Sequence, residues 1–164
     1  MGLEVFNTIT LEGSDENVAA LKQFVKSEKS DFDFENVIPV PEELDIGDYT
    51  KARVAKSCYR SYNSTSRPKY INDVFMNLVK IGEQVVANEE KYGVATDHDW
   101  KTKYWDTYTN AEGVEIEGDT ITFWTYLKPP SPILKKLGDL FPNVKIKDSF
   151  SSDYGVIEGS LEVN

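Results

Sequence analysis

The sequence predicts an α+β fold in which an antiparallel sheet carries helices on one face. Two observations lead there. Segments near the N-terminus and through the last sixty residues alternate apolar and polar residues with the two-residue period of strands. Between them lie capped segments whose apolar residues recur at three and four, the signature of helices packed on one side. An antiparallel sheet with one apolar face needs such helices to cover it.

The first strand spans residues 3–11, where Leu3, Val5, Ile9 and Leu11 set a loose alternation. Gly13 breaks it, and Ser14 or Asp15 is placed to cap a helix by accepting from its first backbone N–H groups. Val18, Leu21, Phe24 and Val25 then share one face, and the pattern extends the helix to about Ser30. In residues 32–44, Pro39 and Pro41 remove two backbone donors, so this segment reads as an extended crossing anchored by Phe32, Phe34, Val37 and Ile38. Residues 45–70 show weak periodicity. Tyr70 to Tyr92 is helical by pattern, with Gly93 as its stop and an apolar stripe wide enough to pack on more than one side.

The C-terminal part is expected to open with a hairpin, Tyr104–Asn110 against Thr120–Leu127, joined by a longer and partly paired connector at Val114–Glu117. Ser131 and Pro132 begin a helix whose inner face is Ile133, Leu134, Leu137, Leu140 and Phe141, and Pro142-Asn143 ends it. Val144–Phe150 and Gly155–Val163 are the last two strands. With the middle segment removed, the order strand–helix–strand–strand–helix–strand is the split βαβ arrangement of ferredoxin-like folds. The expectation is one domain over residues 1–164: a ferredoxin-like antiparallel sheet with helices on one face, a helical insertion at about 45–95 and one extra C-terminal strand.

Composition bounds the class. The 164 residues are 40% hydrophobic and 28% charged, which suits a folded globular chain and not a disordered one. Cys58, the single cysteine, excludes an internal disulfide framework and a multi-cysteine zinc site. No apolar run reaches the ~18–20 residues of a membrane span, and the N-terminus lacks a basic-then-apolar signal, so the expected location is the cytoplasm, with no membrane partner.

Three segments, taken together, resemble a known family. They are Phe32-x-Phe-x-Asn-Val-Ile-Pro-x-Pro, then Trp100-x4-Trp105-x-Thr107, and the block from Phe123-Trp-Thr-Tyr-Leu-Lys-Pro-Pro to Leu140-Phe-Pro. The set is similar to the YubB-like ferredoxin-domain family of phage and plasmid proteins, and the likeness extends over most of the chain except 45–95. Where that family continues its second Trp with Gly-Thr-Lys-Trp, this chain has Asp106-Thr107-Tyr108-Thr109. The resemblance implies the fold, a mobile-element origin and a bacterial host; it implies no activity.

Residues able to carry chemistry are sparse. His98 is the single histidine, flanked by Asp97 and Asp99, and reads as an exposed loop residue; neither it nor Cys58 lies in a signature of a nucleophile and its base. Asp97, Asp99, Asp106, Glu89 and Glu90 lack the glycine turn and fixed offsets of a cation-binding loop and read as solvated acids. Glycine-rich phosphate loops and the nucleophile-elbow pattern are absent. No catalytic residue, metal ligand or cofactor is therefore assigned. Trp100, Trp105 and Trp124 read as core.

Charge is the stronger signal. The net charge is −10, yet it is unevenly spread: residues 1–48 hold twelve acids and three bases, whereas 49–72 hold six bases and no acid. Tyrosines punctuate that basic stretch, and arginine and tyrosine are the residue types favoured in interface hot spots. Lys51, Arg53, Lys56, Tyr59, Arg60, Tyr62, Arg67 and Lys69 are accordingly the candidate partner-binding residues. The expected function is that of a non-enzymatic interaction protein that binds a host protein or protein–nucleic acid complex through charged surfaces, inhibiting a host defence system or imitating a nucleic acid. The alternative is a nucleic-acid-binding accessory using 49–72, against which the global −10 weighs.

Overall fold

The computed structural model describes residues 2–164. In chain order the elements are β1 (Glu4–Glu12), α1 (Asp15–Val25), α2 (Ala52–Tyr62), α3 (Asp73–Tyr92), α4 (Asp97–Tyr104), β2 (Glu112–Glu117), β3 (Thr120–Tyr126), α5 (Ser131–Leu140), β4 (Lys145–Ser152) and β5 (Glu158–Val163). Two compact units result. The first joins the chain up to Pro39 to Lys101–Asn164; the second is Val40–Trp100. The segment read from sequence as an insertion at about 45–95 is thus a unit with its own core. Among the described residues no helix is long and apolar enough to cross a membrane.

The first unit holds a five-stranded antiparallel sheet in the order β2-β3-β1-β4-β5. Its first four strands follow the ferredoxin-like order, with β1 central between β3 and β4, and β5 is the extra edge strand. Register fixes which side chains face the helices. Ile9 lies opposite Ile121 and Asp148, and Asn7 opposite Phe123 and Phe150. Val5, Asn7, Ile9 and Leu11 alternate as buried residues along β1, as the two-residue period requires. Val18, Leu21 and Val25 of α1 and Ile133, Leu134 and Leu137 of α5 are buried in turn.

Local chemistry explains where elements differ from the sequence pattern. Ser14 caps α1 by accepting from Asn17 N, as expected. The helix stops at Val25, five residues early, because the Asn36 side chain donates to the freed carbonyls of Phe24 and Lys26. Residues 32–44 contain short 3₁₀ turns at Phe34–Asn36 and Glu42–Leu44, with Phe32, Phe34, Val37 and Leu44 buried. Tyr104–Asn110 is not a strand. Trp105 turns inward to donate from Nε1 to Ile38 O at 2.9 Å, and Asp106 adopts a positive φ of 64°, which breaks extension. The strand partner of β3 is the expected connector, now β2. Ser131 lies one position inside α5, and a 3₁₀ turn over Asp153–Gly155 delays β5 to Glu158.

One buried group opposes folding. Asp148 sits on the helix-covered face beside Ile9, and neither carboxyl oxygen has a hydrogen-bond partner. Burial pushes its carboxyl up to about 7, outweighing the opposite pull of the nearby Thr8 backbone amide, which lies outside good hydrogen-bond geometry. From its ordinary value of 3.8 up to about 7, the folded chain keeps a proton that the unfolded chain has released. Stability contributed by this group is therefore full below that window, falls as pH rises through it and is lowest above it. In urea titrations, the stability of Asp148→Asn relative to the parent should rise by on the order of 1 kcal/mol per pH unit across the window, then level. A constant difference from pH 4 to pH 8 would show that the carboxyl is not desolvated.

Candidate functional site: the α2–α3 face

The second unit is organised by an antiparallel helix pair. Ala55 of α2 meets Gly82 of α3, and Tyr62 meets Phe75. The pair approaches closely because Gly82 has no side chain: a Cβ there would overlap the carbonyl oxygen of Ala55 and press on Tyr59. Asn72 caps α3 by accepting from Phe75 N, and Gly93 ends it in the left-handed conformation at φ 73°, donating to Glu89 O. Asn88, buried on the inner side, donates to the carbonyls of Glu43 and Ala95 and ties both flanking loops to α3.

α2 is absent from the sequence reading, and the reason is compositional. Its apolar positions, Ala52 and Ala55, are small, and polar or charged residues surround them. The summed pattern looks irregular although the helix is strongly two-sided.

The eight candidate residues divide into two groups. Lys51 pairs with Asp48 at 3.5 Å and Lys56 with Glu89. Arg67 lies 4.1 Å above the Tyr62 ring centroid and donates from Nε to Tyr62 O. Tyr59 packs against Gly82, and Tyr62 against Phe75. These five are engaged within the unit. Arg53, Arg60 and Lys69 are exposed, and their side chains take part in no ion pair or hydrogen bond among the described residues.

The same helix pair carries a feature that the charge pattern does not reveal. A groove of about 400 Å³ runs along the helix pair, lined by Thr50, Lys51, Val54, Val74, Asn77, Leu78 and Ile81. Val74 is 70% exposed and Val54 55%. The wide apolar stripe of α3 is the one sequence feature that pointed here: part of the stripe packs on α2 and Val74 stays uncovered, whereas Tyr70 and Ile71, expected inside the helix, precede its Asn72 cap.

The remaining candidates are placed elsewhere. His98 lies in α4, not in a loop, with its ring stacked on Tyr49 at 4.2 Å and its Nδ1 3.8 Å from Asp99 Oδ1. Thr96 builds that helix start by accepting from Asp99 N. Cys58 is half-buried as a free thiol. No group of three metal-ligating side chains occurs among the described residues. Trp105 is core, whereas Trp124 lies 37% exposed on the open sheet face against Phe6, a placement its sequence context did not indicate.

No family model and no curated protein matches the chain. A solved structure with a similar fold is that of protein api92 from Yersinia pseudotuberculosis, described with family model DUF1281. It is 11% identical, with a TM-score of 0.54 over 100% of this chain and 95% of that one. At this identity the likeness shows the fold alone, and it extends to both units.

Gly82→Ala tests the helix pair. Alanine gains about 1 kcal/mol of helix propensity over glycine, but its methyl meets backbone that cannot yield. A net loss of about 1–3 kcal/mol in chemical denaturation is expected, and a gain would show that the helices do not touch there.

Proposed function

We propose that this protein is a binding module whose second unit docks a segment of a partner protein along the α2–α3 groove. The observation that carries the reading is that Val54 and Val74, both uncovered, line one groove on the helix pair, with the unpaired Arg53 next to Val54 along α2. Monomeric proteins rarely leave apolar helix residues in a groove without use. An amphipathic segment that places apolar residues at helical spacing into the groove and acids against Arg53 satisfies both features. The resemblance to phage and plasmid proteins supports a bacterial host protein, alone or with nucleic acid, as the source of that segment, and inhibition of a host defence system as the consequence. The sparse chemistry of His98 and Cys58 supports binding in preference to catalysis.

A second reading, attachment of nucleic acid at 49–72, draws on exposed Arg53, Arg60 and Lys69 beside Tyr70, which is 85% exposed. Cations on a backbone-tracking surface are normally more numerous, and here three of six are engaged internally.

Selection from a displayed peptide library separates the readings. Peptides combining Leu, Ile or Phe at helical spacing with Asp or Glu should be enriched, and Val54→Asp with Val74→Asp should weaken their binding about tenfold or more through loss of apolar burial. Enrichment that survives both substitutions would overturn the groove. Retention of single-stranded DNA with steep salt dependence, lost on Arg53→Glu and Arg60→Glu, would favour the second reading instead.

A further inference from the structure

The first unit carries a separate surface of opposite character. At one end of the open sheet face lies a hollow of about 490 Å³, lined by Gly2, Leu3, Glu4, Tyr108, Tyr126, Asp153 and Tyr154. Three tyrosines and two acidic residues therefore line it, and among the described residues no lysine or arginine does. Tyr108 and Tyr126 are stacked 5.5 Å apart with an interplanar angle of 26°. The Tyr126 hydroxyl donates to Glu112 Oε2 at 3.2 Å, with Glu4 Oε1 at 3.5 Å, which brings a third carboxylate to the rim. Neither Glu4 nor Asp153 is held in an ion pair among the described residues.

Tyr154 is the most telling member. It is fully exposed at φ 63°, a left-handed conformation that costs a non-glycine residue on the order of 1 kcal/mol or more. The turn that holds it is closed by Ser152 N donating to Ile157 O and Ile157 N to Ser152 Oγ, both at 2.8 Å. Backbone strain thus presents an aromatic ring to water, where it gains nothing by burial. The electrostatics agree with an unfilled demand for positive charge. The charge of Glu112, followed by burial and the hydrogen bond to Glu112, holds the Tyr126 phenol above its ordinary value, so the local potential is negative.

We propose that this hollow docks an arginine side chain from a basic segment of a protein partner. A guanidinium is planar, stacks on tyrosine faces and presents paired donors to carboxylates. The hollow supplies rings from Tyr108, Tyr126 and Tyr154 and acceptors from Glu4 and Asp153, and charge complementarity selects a cation over any neutral or acidic group. The occupant is opposite in charge to that of the α2–α3 groove, and this inference does not depend on that reading.

The test is titration of the full-length protein with an acetylated hexa-arginine peptide, using hexa-citrulline as the uncharged isostere. Hexa-arginine should bind and shift the Tyr126 and Tyr154 ring signals in NMR spectra, and hexa-citrulline should not bind. Tyr154→Ala should weaken binding about two- to fivefold, and Glu4→Gln with Asp153→Asn about tenfold. The control pair Glu16→Gln with Glu28→Gln, neither of which lines the hollow, should leave affinity within about twofold, since salt screens exposed charges that the peptide does not touch. Equal weakening by the control pair would show that the peptide reads only the net charge and would overturn the site. So would unchanged binding by the hollow variants, or no binding of hexa-arginine. All three altered proteins carry surface substitutions, and unchanged circular dichroism confirms that they fold.

Discussion

The first unit depends on a ring of edge-on aromatic contacts that closes a long excursion of the chain. Phe32 meets Phe34 and Phe123 at 5.1 Å, and Phe34 meets Trp105 at 5.6 Å, all close to perpendicular. Trp105 Nε1 donates to Ile38 O, and Asn110 both accepts from Phe34 N and donates to Asp33 Oδ1 at 2.7 Å. These contacts join the stretch just before Pro39, where the chain leaves the unit, to the stretch after Lys101, where it returns. Loop-closure cost grows only with the logarithm of loop length. A compact lock of this kind, each aromatic pair worth about 0.5–1.5 kcal/mol beyond its buried area, can therefore tolerate a sixty-residue unit inserted between its halves. Asp33, buried at the lock, is pushed up by burial but held below its ordinary value by hydrogen bonds from Ser27, Asn110 and the Glu35 amide, so it stays charged as an acceptor.

With the lock in place, the sheet divides its two faces by chemistry. The helix-covered face is apolar apart from Asn7, Thr125, Asp148 and Ser152. Asn7 donates to Thr125 Oγ1, which in turn donates to Lys128 O, so part of this polar strip is satisfied internally. Asp148 is not, and burial holds its carboxyl protonated up to about pH 7. The open face carries Phe6 and Trp124, paired across β1 and β3 with centroids 4.9 Å apart, and beyond them the tyrosine-lined hollow. In strand terms the two sets of residues differ by one position, so any slip in register would exchange them.

What the sequence makes legible follows from which forces act locally. The helix start at Ser14, the stop at Gly93 and the burial of Phe32, Phe34 and Val37 rest on neighbouring residues, and they are read correctly from spacing and capping chemistry. Tyr104–Asn110 has the β-branched and aromatic content of a strand, yet Trp105 is claimed by a carbonyl 67 residues away. That tertiary contact overrides local propensity. The candidate site is half legible for the same reason. Charge can be counted from sequence, but the pairing of Lys56 with Glu89, 33 residues on, and the closeness of Val54 to Val74 arise only when α2 and α3 pack. Tyr108, Tyr126 and Tyr154 come from three separate segments and share no sequence pattern.

Charge counted along the chain and charge available to a partner are therefore different quantities. Of the six bases in 49–72, Lys51, Lys56 and Arg67 are engaged within their own unit, which leaves Arg53, Arg60 and Lys69 to face a partner. An approaching acidic segment is repelled by the field of a molecule with net charge −10, a field that screening weakens over a Debye length of about 8 Å at physiological salt. On the proposed reading, attraction begins only near Arg53, which adjoins groove-lining Val54 along α2. The proposed recognition at the groove would consequently be dominated by burial of Val54, Val74, Leu78 and Ile81, with Arg53 setting orientation. At the tyrosine hollow the proposed order is the reverse: the global field would attract a basic segment first, and ring stacking and carboxylate geometry would then select arginine among the cations that arrive.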